Sequence, residues 1–474
     1  MHLSGRGAVA VRNLNAALAL VVAIVAGCTQ ASPPPPQDGP RTLTGTIGAA
    51  AYDIEVPSVW NGTLFLYSHG YVPPGGPKFA AASPSVDATA WLLGHHYAIA
   101  GSSYSSTGWA LPDAFTDQIA LVDHFEQRVG KPKRIIAWGT SLGGMVTAGL
   151  IQLYPDRFAA AMPMCGVLSG GIATWNLELD AAYAFRTLLA PTSSLQLTHI
   201  TDPAANLQLA LDIFNQAAAT PAGRARIALV AALIDLPGWF DPRMPEPAAA
   251  DFAAREAAQA MWESRVDFTF AFRYRADLEQ RAGGDPSWNT GVDYSHQLSI
   301  SVDVDEVNAL YGAAGLDLQS DLRALNAGAR VAADPAAAGY LDRNVSFDGQ
   351  LDIPVLTMHT TGDGLVVPPN ESAYANAVSA AGDSALLRQT FVHRAGHCAF
   401  TEAETVAALQ VLLKRLDSGR WDDSALQPAA LNASALAQGD LENVFFGAAA
   451  PPAFVDFRPA PYPRAFAQGA SIPA

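Results

Sequence analysis

The segment that most constrains how this chain can fold is residues 135–144, IIAWGTSLGG. Residues 134–139 form a short, nearly continuous apolar run, as expected for a strand of a parallel sheet covered on both faces. Ser141 follows within a Gly-x-Ser-x-Gly sequence, and residues 142–154 have the pattern of a helix that Pro155 ends. Strand, serine turn and helix in this order are the context of a nucleophile elbow, in which a tight turn exposes the serine hydroxyl.

Strand and helix patterns alternate on both sides of this turn. Strands are predicted over residues 41–48, 51–57, 60–70, 96–104, 158–166, 352–363 and 386–398, and amphipathic helices over residues 113–129, 371–381 and 405–416. This alternation predicts an α/β fold, with a mostly parallel sheet and helices on both of its faces.

Residues 175–350 interrupt the alternation. This stretch is rich in alanine and mostly helical in pattern, and sheet patterns resume after it. A helical cap inserted between two neighbouring strands explains it more economically than a separate tandem domain, because the sheet continues on both sides. The core then comprises residues 41–174 and 351–416. The remaining residues, 417–474, are rich in alanine, proline and aromatic side chains, and we expect them to pack along the outside of the core.

For two groups of side chains, the sequence leaves open whether they border the substrate pocket or pack inside the protein. The first group has aromatic side chains at every second position inside a helical pattern of the cap, and we expect most of them to pack in the core. Its members are Phe268, Phe270, Phe272 and Tyr274. The second follows the predicted strand 96–104, where either pocket or loop packing is expected, and consists of Ser103, Tyr104 and Trp109.

The balance of charge bears on the binding partners. The chain has 28 Lys and Arg against 44 Asp and Glu, a formal net charge of -16, and shows no basic cluster. Nucleic acid is therefore not an expected partner, because neutralising phosphates takes a concentration of basic side chains. Half of the residues are apolar and only 15% are charged, which supports a large buried core.

Residues 1–28 have the pattern of an export signal. Arg6 and Arg12 precede an apolar run, residues 16–26, that is too short to span a bilayer comfortably. The ending Val25-Ala26-Gly27-Cys28 resembles a bacterial lipobox, which implies a lipid on Cys28; an ordinary secretory signal cleaved between residues 26 and 31 is the alternative. Both place the mature protein outside the cytoplasm, with the lipid anchor as the one expected membrane contact. Residues 29–40 are expected to form an extended, Pro-rich spacer.

A serine nucleophile needs a carboxylate to orient its base. Asp363 ends the predicted strand 352–363 in a Gly-rich loop, at the sheet edge where catalytic groups of parallel sheets gather. Asp180 and Glu178, after the preceding strand, are the alternatives for an acid displaced by one strand.

The base that takes the serine proton is expected to be a histidine. His397 follows the last predicted strand and completes the chain order serine, acid, histidine. His359 and His393 lie on predicted strands, where packing or capping is the expected use.

Two backbone N–H groups are expected to stabilise the oxyanion. One belongs to Leu142, directly after the serine and at the start of a helix whose dipole favours negative charge. The other is expected from the loop after the predicted strand 60–70, with Tyr71 as the donor and Gly70 as the alternative.

Four segments together resemble the α/β-hydrolase fold over residues 41–416, with the cap as an insertion: Gly139-Thr140-Ser141-Leu142-Gly143, Ser68-His69-Gly70-Tyr71, Thr361-Gly362-Asp363 and Ala395-Gly396-His397. Trp60-Asn61-Gly62 and the pair His397-Cys398 are similar to secreted tannase and feruloyl esterase-like enzymes. In that group a cysteine directly before the nucleophile pairs with a cysteine directly after the histidine. This chain has Thr140 before the serine, and its loop reads His-Gly-Tyr where those enzymes carry a Gly-rich run.

The departure at Thr140 suggests a replacement disulfide. If Cys28 carries lipid, Cys165 and Cys398 remain, an even pair in an oxidising compartment. Cys165 ends the strand next to the one that bears Ser141, and Cys398 follows His397, so both are expected at the same edge of the sheet. We predict a Cys165–Cys398 disulfide, with two separate buried thiols as the alternative.

The sequence therefore predicts a secreted serine hydrolase that cleaves carboxylic esters, small or polymeric, through an acyl-enzyme and without a metal or organic cofactor. A peptidase or amidase with the same triad is the alternative; an acidic cluster in the cap would favour it, and the sequence identifies none. A non-catalytic binding protein would be expected to lack a triad member, whereas all three candidates are present. The acidic segment 303–306 lacks the Gly and Glu that complete a calcium loop, and the paired glycines lack the Lys of a phosphate loop.

Overall fold

A computed structural model describes residues 39–439, 443–444 and 448–471. The export segment with Cys28 and nearly all of the Pro-rich spacer lie outside these residues. Along the chain that is described, no helix combines the length and the apolar character needed to cross a membrane.

The strands of the described chain form one nine-stranded mixed sheet and one separate pair. They are β1 (Arg41–Ile47), β2 (Ala50–Val56), β3 (Thr63–Ser68), β4 (Ala98–Ser102), β5 (Arg134–Thr140), β6 (Ala160–Met164), β7 (Val355–Gly362), β8 (Leu387–Ala395), β9 (Asn443–Val444), β10 (Ala448–Ala449) and β11 (Phe454–Val455). The large sheet has the order β1-β2-β4-β3-β5-β6-β7-β8-β11, and β9 pairs with β10. From β4 to β8 all neighbours are parallel, while β1, β2 and β11 add antiparallel edges. The predicted α/β-hydrolase fold class is confirmed.

Helices cover both faces of the parallel centre. The first three follow β3, β4 and β5, and are α1 (Val86–Gly94), α2 (Leu111–Arg128) and α3 (Leu142–Leu153). Apolar side chains of α2 and α3 pack in one core cluster on one face, whereas α1 packs in a second cluster on the other face. Because β5 is covered on both sides, its central residues are fully buried, which explains its continuous apolar sequence.

The helical cap lies between β6 and β7. Its helices in the described chain are α4 (Gly171–Leu189), α5 (Pro203–Ala218), α6 (Pro221–Leu233), α7 (Phe252–Trp262), α8 (Arg275–Ala282), α9 (Tyr294–Ile300), α10 (Val304–Ala314), α11 (Leu318–Ala327) and α12 (Pro335–Arg343). Two π-helical turns, Glu263–Asp267 and Phe270–Tyr274, connect α7 to α8. Proline at the first helical position, after a capping Asp202 or Thr220, sets the starts of α5 and α6. The cap has its own apolar core, in which α6 is almost wholly buried.

The chain returns from the cap to β7 and completes the second half of the core. Three more helices follow, α13 (Pro369–Ala381), α14 (Glu402–Ser418) and α15 (Pro428–Leu436). α14 begins with a capping box in which Thr401 and Glu404 satisfy each other's backbone N–H groups. It packs in the same apolar cluster as α1, on the opposite face from α2 and α3.

The segment after α15 reaches further than the sequence predicted. β11 pairs antiparallel with β8 and so extends the sheet. The chain then continues into contact with the cap, where Tyr462 is buried in the apolar core of the cap and Arg464 forms an ion pair with Asp180. The tail, predicted to pack along the outside of the core, thus contacts the cap as well.

Candidate active site

Ser141 is the single residue between β5 and α3, and few non-glycine residues adopt its backbone conformation. Its φ is 60° and its ψ is -126°, and its N–H donates to the carbonyl of Met164 at 3.0 Å. The flanking glycines are required by close packing: a Cβ on Gly139 would lie 2.5 Å, and one on Gly143 1.9 Å, from the carbonyl oxygen of Ser68. The sequence motif thus forms the tight strand-to-helix turn of a nucleophile elbow.

The loop after β3 lies directly against this serine. A Cβ on Gly70 would be 3.2 Å from Cβ and 3.7 Å from Oγ of Ser141, so a larger residue would crowd the serine. The residue that follows is Tyr71, and the first residue of α3 is Leu142. Both candidate oxyanion donors therefore belong to backbone segments that border Ser141.

Asp363 and His397 are brought together across 34 residues. Oδ2 of Asp363 accepts a hydrogen bond from Nδ1 of His397 at 2.7 Å. Oδ1 accepts from the N–H groups of Leu365 and Val366, each at 3.0 Å. Burial by itself raises the pKa of Asp363, but the charge of His397 and the hydrogen bond from His359 outweigh it and lower that pKa to about 2. The carboxylate is thus held as an anion in one orientation.

His359 belongs to the same network, which the sequence did not indicate. It is fully buried on β7, with Nε2 3.5 Å from Oδ2 of Asp363 and Nδ1 3.1 Å from Oε1 of Glu371 on α13. The available signal was its position four residues before Asp363, but its partner Glu371 comes from a helix that no local pattern links to the strand. We had expected it to be a packing residue.

The alternative acids lie elsewhere. Asp180 is fully buried on α4, where it pairs with Arg464 at 3.1 Å and accepts a hydrogen bond from Tyr294. Glu178 lines the pocket beside Ser141. His397 has its hydrogen bond with Asp363, so the structure assigns neither alternative as its partner.

The predicted Cys165–Cys398 disulfide is present. It joins the end of β6 to the residue after His397, with a Cα–Cα distance of 5.3 Å. Both cysteines have positive φ, 43° and 52°, so the crosslink secures two uncommon backbone conformations beside the site. Cys398 Sγ lies 3.4 Å from Nε2 of His397. Thr140 stands where the similar enzymes have a cysteine, and its hydroxyl forms a 2.8 Å hydrogen bond with the hydroxyl of Tyr67.

Two pockets adjoin at this site. The first is a small cavity of about 60 Å³ against Ser141, with aromatic walls formed by Tyr71, Trp109, Trp175, Phe270 and Tyr462. The second, of about 370 Å³, lies against His397 and is formed by apolar groups that include Phe240, Pro242, Trp262 and Val266. Leu365 borders both pockets.

The first pocket also contains buried acids from the cap. Asp267 is 3% exposed, lines the pocket together with Glu178, and its Oδ2 has no hydrogen-bond partner within the described chain. Burial, reinforced by repulsion from Glu178 and Glu263, raises the pKa of Asp267 well above its usual range. Burial likewise raises the pKa of Glu178 to about 8. The acidic cluster that the sequence did not reveal is therefore a feature of the pocket.

The two expected groups of cleft residues divide between pocket and core. Of the cap aromatics, Phe270 lines the pocket and packs on Tyr71 at 5.2 Å between ring centroids, whereas Phe268 and Phe272 lie in the core of the cap. Trp109 also lines the pocket. Tyr104 instead donates to the carbonyl of His69 in the protein core.

The acidic segment 303–306 is structural. Asp303 caps α10 and pairs with Arg255 at 2.5 Å, and Glu306 pairs with the same guanidinium at 2.9 Å.

The chain is similar to a known protein family, to solved structures and to one amidase. The model of the prolyl oligopeptidase family matches residues 107–188, which include the Ser141 turn. Among solved structures, the chain is similar to an esterase and to feruloyl esterase B, both from Aspergillus oryzae. Each match has 13% identity and covers 80% of both chains, with TM-scores of 0.42 and 0.41. An o-phthalyl amidase from Xanthobacter agilis is 30% identical over 419 residues, covering 81% of this chain and 89% of the amidase. This protein therefore belongs to the family of that amidase, as a serine hydrolase of the α/β-hydrolase fold.

Proposed function

We propose that this protein cleaves amides and esters of an aromatic carboxylic acid through an acyl-enzyme formed on Ser141. The observation that carries the proposal is the small pocket beside Ser141, whose mostly apolar walls include five aromatic side chains. Flat aromatic walls suit a flat acyl group, because ring faces and edges pack at short centroid distances. The name of the Xanthobacter relative, an o-phthalyl amidase, also describes an aromatic acyl group on an amide.

In the proposed reaction Ser141 attacks the carbonyl carbon while His397 takes its proton. Asp363 holds the ring of His397 and stabilises the imidazolium that forms. The N–H groups of Leu142 and Tyr71 stabilise the oxyanion. His397 then donates its proton to the departing nitrogen or oxygen, and a water molecule releases the acid by the same steps in reverse.

The two pockets divide the substrate between them. The acyl group remains bonded to Ser141 after the first step, so it occupies the small pocket beside that residue. The leaving group receives its proton from His397, so it lies on the side of the larger apolar pocket. This arrangement predicts a narrow acyl specificity and a broader tolerance for leaving groups.

Matched substrates test the proposal. We expect 4-nitrophenyl benzoate and N-benzoyl 4-nitroanilide both to be hydrolysed, and the benzoate to exceed 4-nitrophenyl cyclohexanecarboxylate by at least about tenfold in kcat/KM, since a puckered ring fits flat walls poorly. Ser141→Ala should lower kcat by about 10⁴-fold or more. Equal rates for wild type and Ser141→Ala would exclude the mechanism, and equal rates for the two ring types would exclude the aromatic specificity.

A second candidate is hydrolysis of amides whose acyl group carries an ammonium group. It is favoured by Asp267, which is buried, unpartnered at Oδ2 in the described chain and part of the pocket lining together with Glu178. Comparing phenylalanine 4-nitroanilide with its N-acetyl derivative separates the two candidates. A preference for the free amine that Asp267→Asn removes would support the second candidate, and a preference for the acetylated or benzoylated amide would reject it.

We propose further that the mature enzyme acts outside the cytoplasm, held by lipid on Cys28. The Cys165–Cys398 disulfide supports this location, because disulfides persist in oxidising compartments. In a bacterial host, Cys28→Ser should move the protein from the membrane fraction to the soluble fraction. An unchanged distribution would reject the anchor.

A further inference from the structure

We propose that His359 is a positioning residue for the reaction, which carries a hydrogen on both ring nitrogens and keeps a positive charge beside the Asp363 carboxylate. The inference rests on the proposed role of Asp363 and His397 in the triad. His359 lies on β7 with its side chain fully buried, so protein groups alone determine its protonation. It lines neither pocket, and it adjoins the site through two neighbours, Asp363 and the pocket-lining Val366.

Both ring nitrogens of His359 face acceptor oxygens. Nε2 lies 2.8 Å from the carbonyl oxygen of Val366 and 3.5 Å from Oδ2 of Asp363. A carbonyl oxygen cannot donate, so Nε2 must carry the hydrogen of the shorter contact. Nδ1 lies 3.1 Å from Oε1 of Glu371.

Glu371 acts as an acceptor in this arrangement. Its Oε2 accepts from the hydroxyl of Thr357 at 2.6 Å and from the side-chain amide of Gln389. Two donors on one oxygen favour the ionised carboxylate, and the hydrogen between Oε1 and Nδ1 then belongs to His359. Burial lowers the pKa of His359, but its hydrogen bonds to Asp363 and Glu371 outweigh burial and raise that pKa to about 10.

The charges of the network sum to zero in the proposed intermediate, in which His397 is protonated, only if His359 is a cation. The contacts run from Glu371 through His359 and Asp363 to His397. With His359 charged, one net negative charge is buried before the reaction, and none once His397 has taken the serine proton. A neutral His359 would leave two buried carboxylates without compensation in the resting enzyme. On the cap side, the charge of Asp363 also acts on Asp267, which is another acid.

The positive charge of His359 also weakens the attraction between the Asp363 carboxylate and the proton on His397. Oδ2 of Asp363 lies between the two histidines, so the charge of His359 partly neutralises the carboxylate that faces His397. If His359 loses its charge, the imidazolium of His397 is stabilised more strongly and gives its proton to the leaving group less readily. The acid limb of the kcat/KM profile must then move to higher pH.

Kinetics of His359→Gln measure this effect. We expect kcat to fall about tenfold and the acid limb to move upward by roughly one pH unit, with KM changed less than about twofold. His393→Gln is the matched control, because His393 is half-exposed on β8 and contacts Thr361 and Glu246 but not Asp363. A fall in kcat with an unmoved pH profile would assign His359 a structural role only and overturn the inference.

Nitrogen-15 NMR of protein labelled at histidine provides a test that needs no activity. In wild type both ring nitrogens of His359 should keep the shifts of an imidazolium from pH 6 to 8.5, and Glu371→Gln, which removes the anion on Nδ1, should bring a titration into this range. A neutral ring in wild type would overturn the inference. Labelling of Ser141 by a fluorophosphonate tests the proposed function separately: an unreactive serine would reject the triad, whereas a neutral His359 in a reactive enzyme would reject this inference alone.

Discussion

Two sets of buried carboxyl groups, one beside His397 and β8 in the core and one beside the pocket in the cap, differ in how their charge is compensated. In the core, Asp363 and Glu371 contact imidazole rings, and Glu404 forms a two-bond ion pair with Arg394 at 2.8 and 3.0 Å. A cationic or hydrogen-bonding partner offsets the loss of hydration, so these groups are held as anions.

In the cap, three acids near the pocket lack an ion pair to any described residue, and only the charge of Arg275 partly lowers the pKa of one of them, Glu178. Glu178, Glu263 and Asp267 form no salt bridge within the described chain, and Glu263 has neither carboxylate oxygen hydrogen-bonded there. Burial raises the pKa of each. Repulsion from Glu256 adds to the effect for Glu263, and repulsion from Glu178 and Glu263 adds to it for Asp267. The difference indicates that the core holds fixed negative charge beside His397, whereas the acids of the cap favour the protonated form beside the pocket.

The largest effect is expected from neutralising the paired carboxylate of the core. Asp363→Asn should reduce kcat by about 10³- to 10⁴-fold, because the amide cannot stabilise the imidazolium and favours the wrong ring tautomer. Steady-state kinetics on an activated ester measure it. Asp352→Asn, at an exposed position shortly before β7, should leave kcat unchanged. Similar rates for both variants would remove Asp363 from the mechanism.

A second prediction makes the core resemble the cap. Arg394→Met leaves Glu404 buried without its cation and should lower the free energy of unfolding by about 3–5 kcal/mol, measured by urea titration. Adding Glu404→Gln should recover part of the loss, since no uncompensated charge remains. The exposed pair Arg323–Asp317 provides the control, and Arg323→Met should change stability by less than about 1 kcal/mol. A loss as small as that of the control would mean that the core does not depend on pairing.

The disulfide permits a test of how firmly the core holds His397. Replacing both Cys165 and Cys398 by serine should lower the free energy of unfolding by roughly 2–4 kcal/mol. It should also reduce kcat, because the residue after His397 loses its covalent tie to β6. Thermal unfolding and kinetics of the double variant measure the two effects. Unchanged kcat with reduced stability would show that hydrogen bonding to Asp363 alone positions the ring.

What the sequence could predict follows from how local each signal is. β5, the Ser141 turn and α3 are contiguous, and their apolar run and glycines have one structural explanation, so both their type and their order were predictable. Asp363 and His397 each follow a strand of the same sheet, and parallel topology places such positions at one edge. The structure accordingly brings these two residues into contact.

The missed features depend on contacts between distant segments. Glu178 and Asp267 come from α4 and a π-helical turn, and no pattern near either residue indicates that both line one pocket. Tyr462 reaches the same pocket after the chain has crossed the far edge of the sheet at β11. Such convergence is determined by the packing of the cap and the tail, which local periodicity does not encode.

The smallest expected effect tests the cap side of the comparison through pH. The folded-state pKa of Asp267 lies well above its value in the unfolded chain, so folding is favoured most where both states are protonated, below about pH 4, and the contribution is lost as pH rises toward the folded-state pKa. Asp267→Asn removes this titration and should unfold at a temperature a few degrees higher than wild type at pH 8, and the difference should shrink as the pH falls toward 4. Asp212→Asn, at an exposed position of α5, should show no such dependence. If the advantage at pH 8 is absent, Asp267 has a compensating cation or proton partner, and the contrast between core and cap fails at the residue on which it depends most.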